Sequence, residues 1–148
     1  MRKAALLRSV QRIVGDYVSV SEAAFMWRRH RLMVPYATIA FVAMVAVAAA
    51  VGWDDWPTRI AIGAAGSALA IAATTDYRVI AATSEGIVLF RASKIRQYAV
   101  ARIETLEDDA QLAPVGGTML AADWQIGSGV YTVPKSSEQA VNRIAAGV

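Results

Sequence analysis

Leu6, Leu7, Val10, Ile13 and Val14 recur with a helical period, while Arg8 and Arg12 fall on the opposite face. This pattern predicts a basic amphipathic helix that stops at Gly15-Asp16. Ser19 and Glu22 stand at capping-box spacing, which predicts a new helix starting near Val20 and running into the next apolar stretch. That stretch, residues 32–51 (LMVPYATIAFVAMVAVAAAV), carries no charge. Arg28, Arg29 and Arg31 precede it, and Asp54 and Asp55 follow it. A helix of that length rises about 30 Å, the thickness of a bilayer's hydrocarbon core.

A second apolar stretch covers residues 60–75 (IAIGAAGSALAIAATT). It is shorter and rich in Ala and Gly, so its own drive to insert is weak. The short turn between the two stretches contains Gly52 and Pro57, and helices joined this way pack antiparallel. Gly63 and Ser67 are four residues apart, as are Gly66 and Ala70, a spacing that permits close helix approach. Ala46 and Ala50 offer a matching strip on the first helix, and pairing with another subunit is one role for this face.

After Asp76 the rhythm becomes that of strands. Residues 77–83 and 86–91 are β-prone runs separated by Ser84-Glu85, with Gly86 supplying turn freedom, so a hairpin is expected. Residues 98–106 predict a third strand, and residues 119–126 and 130–133 a further hairpin. Ser136-Ser137-Glu138 opens a terminal helix through Ile144, with Val141, Ile144 and Ala145 as its buried side.

Composition sharpens this picture. The chain has 148 residues, 56% of them hydrophobic and 18% charged, with a mean hydropathy of +0.39. These values fit a chain divided between a membrane part and a water-facing part. Residues 1–31 carry seven Lys/Arg against Asp16 and Glu22, whereas residues 76–148 carry seven against eight acids. The C-terminal part therefore lacks the basic footprint of a nucleic-acid binder. The basic N-terminal part is suited to an anionic lipid surface, with Arg8, Arg12, Arg28, Arg29 and Arg31 as candidate contacts. A rival reading packs the amphipathic helix on the C-terminal domain or on a partner protein. Cations before residue 32 and after residue 75 place both termini in the cytoplasm under the positive-inside rule. Trp53 and Trp56 would then mark one interface and Trp27 the other. Arg8 and Arg12 interrupt any apolar core of a cleavable signal peptide.

The residues VIAATSEGIVLFRAS (79–93), RIETLEDDAQLAPVGG (102–117) and VYTVPKSSEQAVNRI (130–144) resemble segments of small bacterial membrane proteins with a pleckstrin-homology-like domain. The resemblance covers about half the chain. It implies an antiparallel sheet or partial barrel capped by a C-terminal helix, on the cytoplasmic side of a membrane, with a binding role. Fold alone does not choose between lipid and protein partners.

No residue set points to catalysis. Cysteine is absent and His30 is the one histidine, which excludes thiolate chemistry and leaves imidazole chemistry almost nothing to work with. Glu107-Asp108-Asp109 lacks calcium-loop spacing and reads as a solvated turn. Gly116-Gly117 and Gly127-Ser128-Gly129 are misplaced for phosphate loops. The residues thus predict a basic segment 1–31, a transmembrane hairpin 32–75 (helices 32–51 and 60–75) and a small α+β domain 76–148. The expected protein is a multi-pass component of the bacterial cytoplasmic (inner) membrane, non-catalytic and without cofactor or metal. It would serve a larger transport or respiratory complex as an accessory or scaffold subunit, with membrane lipids and other subunits as partners and self-association as one option. The alternative is a surface module that recognises anionic lipid.

Overall fold

The computed structural model describes residues 2–107 and 109–147. Contacts divide the chain into two units: one joins the chain through Arg28 to the chain from Tyr77 onward, and the other is Arg29–Asp76.

The first unit is a seven-stranded antiparallel sheet in the order β4-β3-β2-β1-β7-β6-β5. Its elements are α1 (Arg2–Val14), β1 (Val20–Arg28), β2 (Asp76–Thr83), β3 (Gly86–Ala92), β4 (Ala99–Thr105), β5 (Leu112–Gly117), β6 (Ala121–Ile126), β7 (Gly129–Pro134) and α4 (Lys135–Ala145). The expected hairpin at 77–91 is present, with Thr83 opposite Gly86 and Arg78 opposite Arg91. Gly86 adopts φ +108°, a conformation that a residue with a Cβ rarely takes.

β1 is the keystone. It joins the β2-β3-β4 run to the β7-β6-β5 run, pairing with β7 at Trp27 opposite Thr132. Both of its faces are covered. Ala23 and Phe25 belong to a cluster with Leu6 and Val10 of α1, whereas Ala24 and Met26 belong to one with Val141 and Ile144 of α4. The period of two along β1 therefore sorts successive side chains into two cores, one beneath each helix. β2 does the same, with Val79 and Ala81 under α1 and Ile80 and Ala82 under α4. In α4, Val141 and Ile144 are buried as expected, but Ala145 is exposed.

The second unit holds α2 (Met33–Ala50) and α3 (Trp56–Thr74), packed on each other. Asp55 caps α3 by accepting a hydrogen bond from the Thr58 N–H at 2.9 Å. That bond to Thr58 holds the Asp55 carboxyl below the usual carboxylate range. Arg59 ties the turn together, donating to the Trp53 carbonyl at 2.6 Å and pairing with Asp54 at 3.3 Å.

Three expectations are corrected. Val20–Arg28 is a strand, not a helix. A strand covered on both faces shows a continuous apolar run without alternation, and such a run cannot be told from a helix by periodicity. As a result, Trp27 lies in the sheet unit beside Phe25. The two-helix transmembrane hairpin followed by a separate small domain is also corrected. Among the described residues, Met33–Ala50 is the one helix long and apolar enough to cross a membrane. α3 is diluted by Thr58, Arg59, Gly63, Gly66, Ser67 and Thr74. The assignment to a multi-pass inner-membrane chain with both termini cytoplasmic needed two spans, and it lapses with the second.

Candidate functional site

The sheet unit contains a cavity of about 860 Å³, lined by α1, β1, the β3–β4 connection and the start of α4. α1 contributes Lys3, Arg8 and Arg12; the connection between β3 and β4 contributes Arg96 and Tyr98; the start of α4 contributes Ser136 and Ser137. Leu6, Phe25 and Trp27 add apolar lining from α1 and β1. Among the described residues, no carboxylate or imidazole lines it.

Local structure explains how each wall is set. α1 is fixed to the β4 edge by Ser9, whose hydroxyl accepts the Ala99 N–H at 3.0 Å and donates to the Leu6 carbonyl at 2.7 Å. Gln11 secures the helix end by donating to the carbonyls of Gly15 and Val18 at 2.6 and 2.7 Å. The β3–β4 connection is a tight turn in which the Ser93 hydroxyl accepts N–H groups from Ile95 and Arg96 at 3.4 and 3.3 Å. It closes through Gln97 at φ 54°, the one non-glycine residue among those described with positive φ. Such a conformation costs an L-residue on the order of 1 kcal/mol.

The four cations differ in what occupies them. Lys3 is held by Glu22, its Nζ donating to Oε1 at 2.9 Å and lying 2.8 Å from Oε2. Arg143 of α4 donates to the same Oε1 at 2.8 Å, so the buried Glu22 carboxylate links the two helices. Burial pushes the Glu22 carboxyl up, but hydrogen bonds and charge from Lys3 and Arg143 outweigh it and hold it below its ordinary value. The Arg8 guanidinium donates back to the Ala4 carbonyl at 3.3 Å. Arg12 and Arg96 make no ion pair or side-chain hydrogen bond among the described residues.

The candidate anionic-lipid contacts thus separate. Arg8 and Arg12 line the cavity, Arg28 is exposed at the end of β1, and Arg29 and Arg31 are exposed in the helical unit. Lys3 and Arg96, missed in the sequence, are part of the cavity lining. Lys3 follows Arg2 in a cationic start that was readable; Arg96, some eighty residues away, had no local signal.

The candidate helix-packing residues gather in the other unit. Gly63 lies against Phe41 and Val45, and Gly66 against Ala40 and Met44. A Cβ at Gly66 would stand 3.2 Å from the Ala40 carbonyl oxygen and would meet Met44 still more closely. Ser67 donates to the Ala37 carbonyl at 2.7 Å, and Ala70 accepts from the Thr74 hydroxyl at 2.8 Å. The facing strip on α2 therefore runs through Ala37, Phe41, Met44 and Val45. Ala46 and Ala50, expected there, are exposed.

Glu107 and Asp109 are exposed, and Asp108 lies outside the described residues. Among the described residues no three His, Asp or Glu side chains are grouped to hold a metal ion. No protein-family model, curated protein or solved structure matches this chain.

Proposed function

We propose that the protein is a non-catalytic accessory or scaffold module held at a membrane by α2. The exposed apolar surface of that helix carries the reading. Val34, Ile39, Val42 and Val47 are all more than half exposed, and Ala48 is the one buried residue of α2. A core helix of comparable composition would have these side chains covered, because each costs about 1.5–3 kcal/mol to leave in water. The described lining of the cavity combines cationic and apolar side chains, which supports a binding role. The pleckstrin-homology-like resemblance of residues 79–93, 102–117 and 130–144 points the same way.

The test is fractionation of cells expressing the full chain, followed by an alkaline carbonate wash. The protein is expected to stay with the membranes. A triple change of Ile39, Val42 and Val47 to Ser should release it. Recovery of the unaltered chain in the aqueous fraction would overturn the proposal.

A second reading, a module that recognises anionic lipid, is favoured by one observation. Arg8 and Arg12, which stand i,i+4 on α1, both line the cavity.

A further inference from the structure

The cavity of the sheet unit concentrates like charge in a way its own fold does not compensate. Arg8 and Arg12 are like charges at i,i+4 spacing, an arrangement that weakens a helix by a few tenths of a kcal/mol. Arg96 brings a further cation from a distant part of the chain. The buried Glu22 carboxylate is engaged by Lys3 and Arg143. Arg12 and Arg96, both exposed, therefore remain without an ion-pair partner among the described residues, on a cavity that also has apolar walls. A sequence that breaks a local rule without internal compensation does so most often at a functional position.

The other lining residues narrow the ligand. Ser136, Ser137 and the Tyr98 hydroxyl make no side-chain hydrogen bond among the described residues and can donate to oxygen. Planar guanidinium groups match tetrahedral oxyanions with paired hydrogen bonds. Leu6, Phe25 and Trp27 provide surface for an apolar group attached to that anion. A divalent cation is disfavoured by every charge present, and a bare inorganic anion would leave the apolar walls unused.

We propose that this cavity binds a phosphate ester bearing an apolar group, with Arg12 and Arg96 as the partners of the phosphate. The ester is either the headgroup of an anionic phospholipid or a water-soluble phosphomonoester. The assignment rests on the second reading above and is independent of how α2 is used.

The full chain, kept in a non-ionic detergent, is titrated calorimetrically with phenyl phosphate and separately with a short-chain phosphatidylglycerol. Intrinsic tryptophan fluorescence is followed in parallel. Binding of either ligand, with a change in emission that Trp27→Phe diminishes, is expected. Arg12→Ala and Arg96→Ala should each weaken it about tenfold, the value of one charge-assisted hydrogen bond. Binding of phenyl phosphate identifies a soluble ester as a sufficient ligand, and binding of the lipid alone identifies the headgroup. Absence of binding to both overturns the proposal. So does binding that Arg96→Ala leaves unchanged, since general attraction to α1 would then account for it. Carbonate fractionation reports on α2 alone, so failure of one assignment is distinct from failure of the other.

Discussion

β1 and α2 are separated by four residues and are about equally apolar at their centres, yet they meet opposite fates. In β1, residues 22–26 are all buried, sorted alternately beneath α1 and α4. In α2, the side chains of Val34, Ile39, Val42 and Val47 stand largely uncovered. Apolarity in the first case is consumed by two internal cores; in the second it stays uncovered. The difference teaches that an apolar run states how much surface must leave water, not which neighbour removes it.

The sharpest way to break this contrast is to delete equivalent apolar volume on each side of it. Phe90 of β3 is fully buried in the α1 cluster. Phe90→Ala is expected to cost about 3–5 kcal/mol in urea unfolding followed by tryptophan fluorescence in a Trp53→Phe, Trp56→Phe background. Val42→Ser on α2 should leave the same transition within about 0.5 kcal/mol. Equal effects would show that α2 is as integral to the sheet unit's stability as its core, and the distinction would fail.

A second test addresses the polar link within the sheet unit. Glu22→Gln is expected to destabilise by about 1–2 kcal/mol at neutral pH, less than a fully buried pair because Lys3 and Arg143 are each about half exposed. The folded carboxyl titrates below its ordinary 4.5. Its contribution is therefore complete above that value and is lost as pH falls from 4.5 through the lower folded pKa. Urea midpoints measured from pH 7 to pH 3 should fall more steeply for the unaltered chain than for Glu22→Gln. Parallel curves would mean that the carboxylate is not what couples α1 to α4.

The third expectation concerns the helix pair alone. Gly66→Leu forces side-chain atoms into the space held by Met44 and the Ala40 backbone, at a cost of about 1–3 kcal/mol to α2–α3 packing alone. Since the chain has no cysteine, Ala37→Cys with Ser67→Cys provides a specific reporter, placed where Ser67 meets the Ala37 carbonyl. The reporter pair should oxidise readily in an otherwise unaltered chain and poorly when Gly66→Leu is added. Unchanged oxidation would show that close approach at Gly66 is dispensable.

Much of the fold was legible where one face of an element meets water. The α1 helix, the 77–91 hairpin and the buried side of α4 at Val141 and Ile144 all announced themselves by periodicity. β1 did not. Covered on both sides, it shows no alternation, and Ser19 with Glu22 imitates a helix start, although Glu22 in fact binds Lys3 and Arg143. The candidate site was half legible for the same reason: Arg8 and Arg12 stand together on one helix face, whereas Arg96 joins them only through the β3–β4 turn.

Unaided, the order of residues determined local matters: which segments favour helix or strand, where turns fall, that cysteine chemistry is absent, and that residues 32–51 are an apolar helical stretch. Those properties depend on neighbours within a few positions, and short-range sterics and hydrogen bonding decide them. Tertiary structure alone decided that the segment before α2 becomes the central strand of a sheet completed by residues beyond 76. It alone brought Arg96 to the cavity lined by Arg8 and Arg12, and set one glutamate between two helices. Contacts between residues this far apart in the chain, up to 121 positions for Glu22 and Arg143, are selected by burial and charge pairing in the assembled fold, and no local pattern in the chain encodes them.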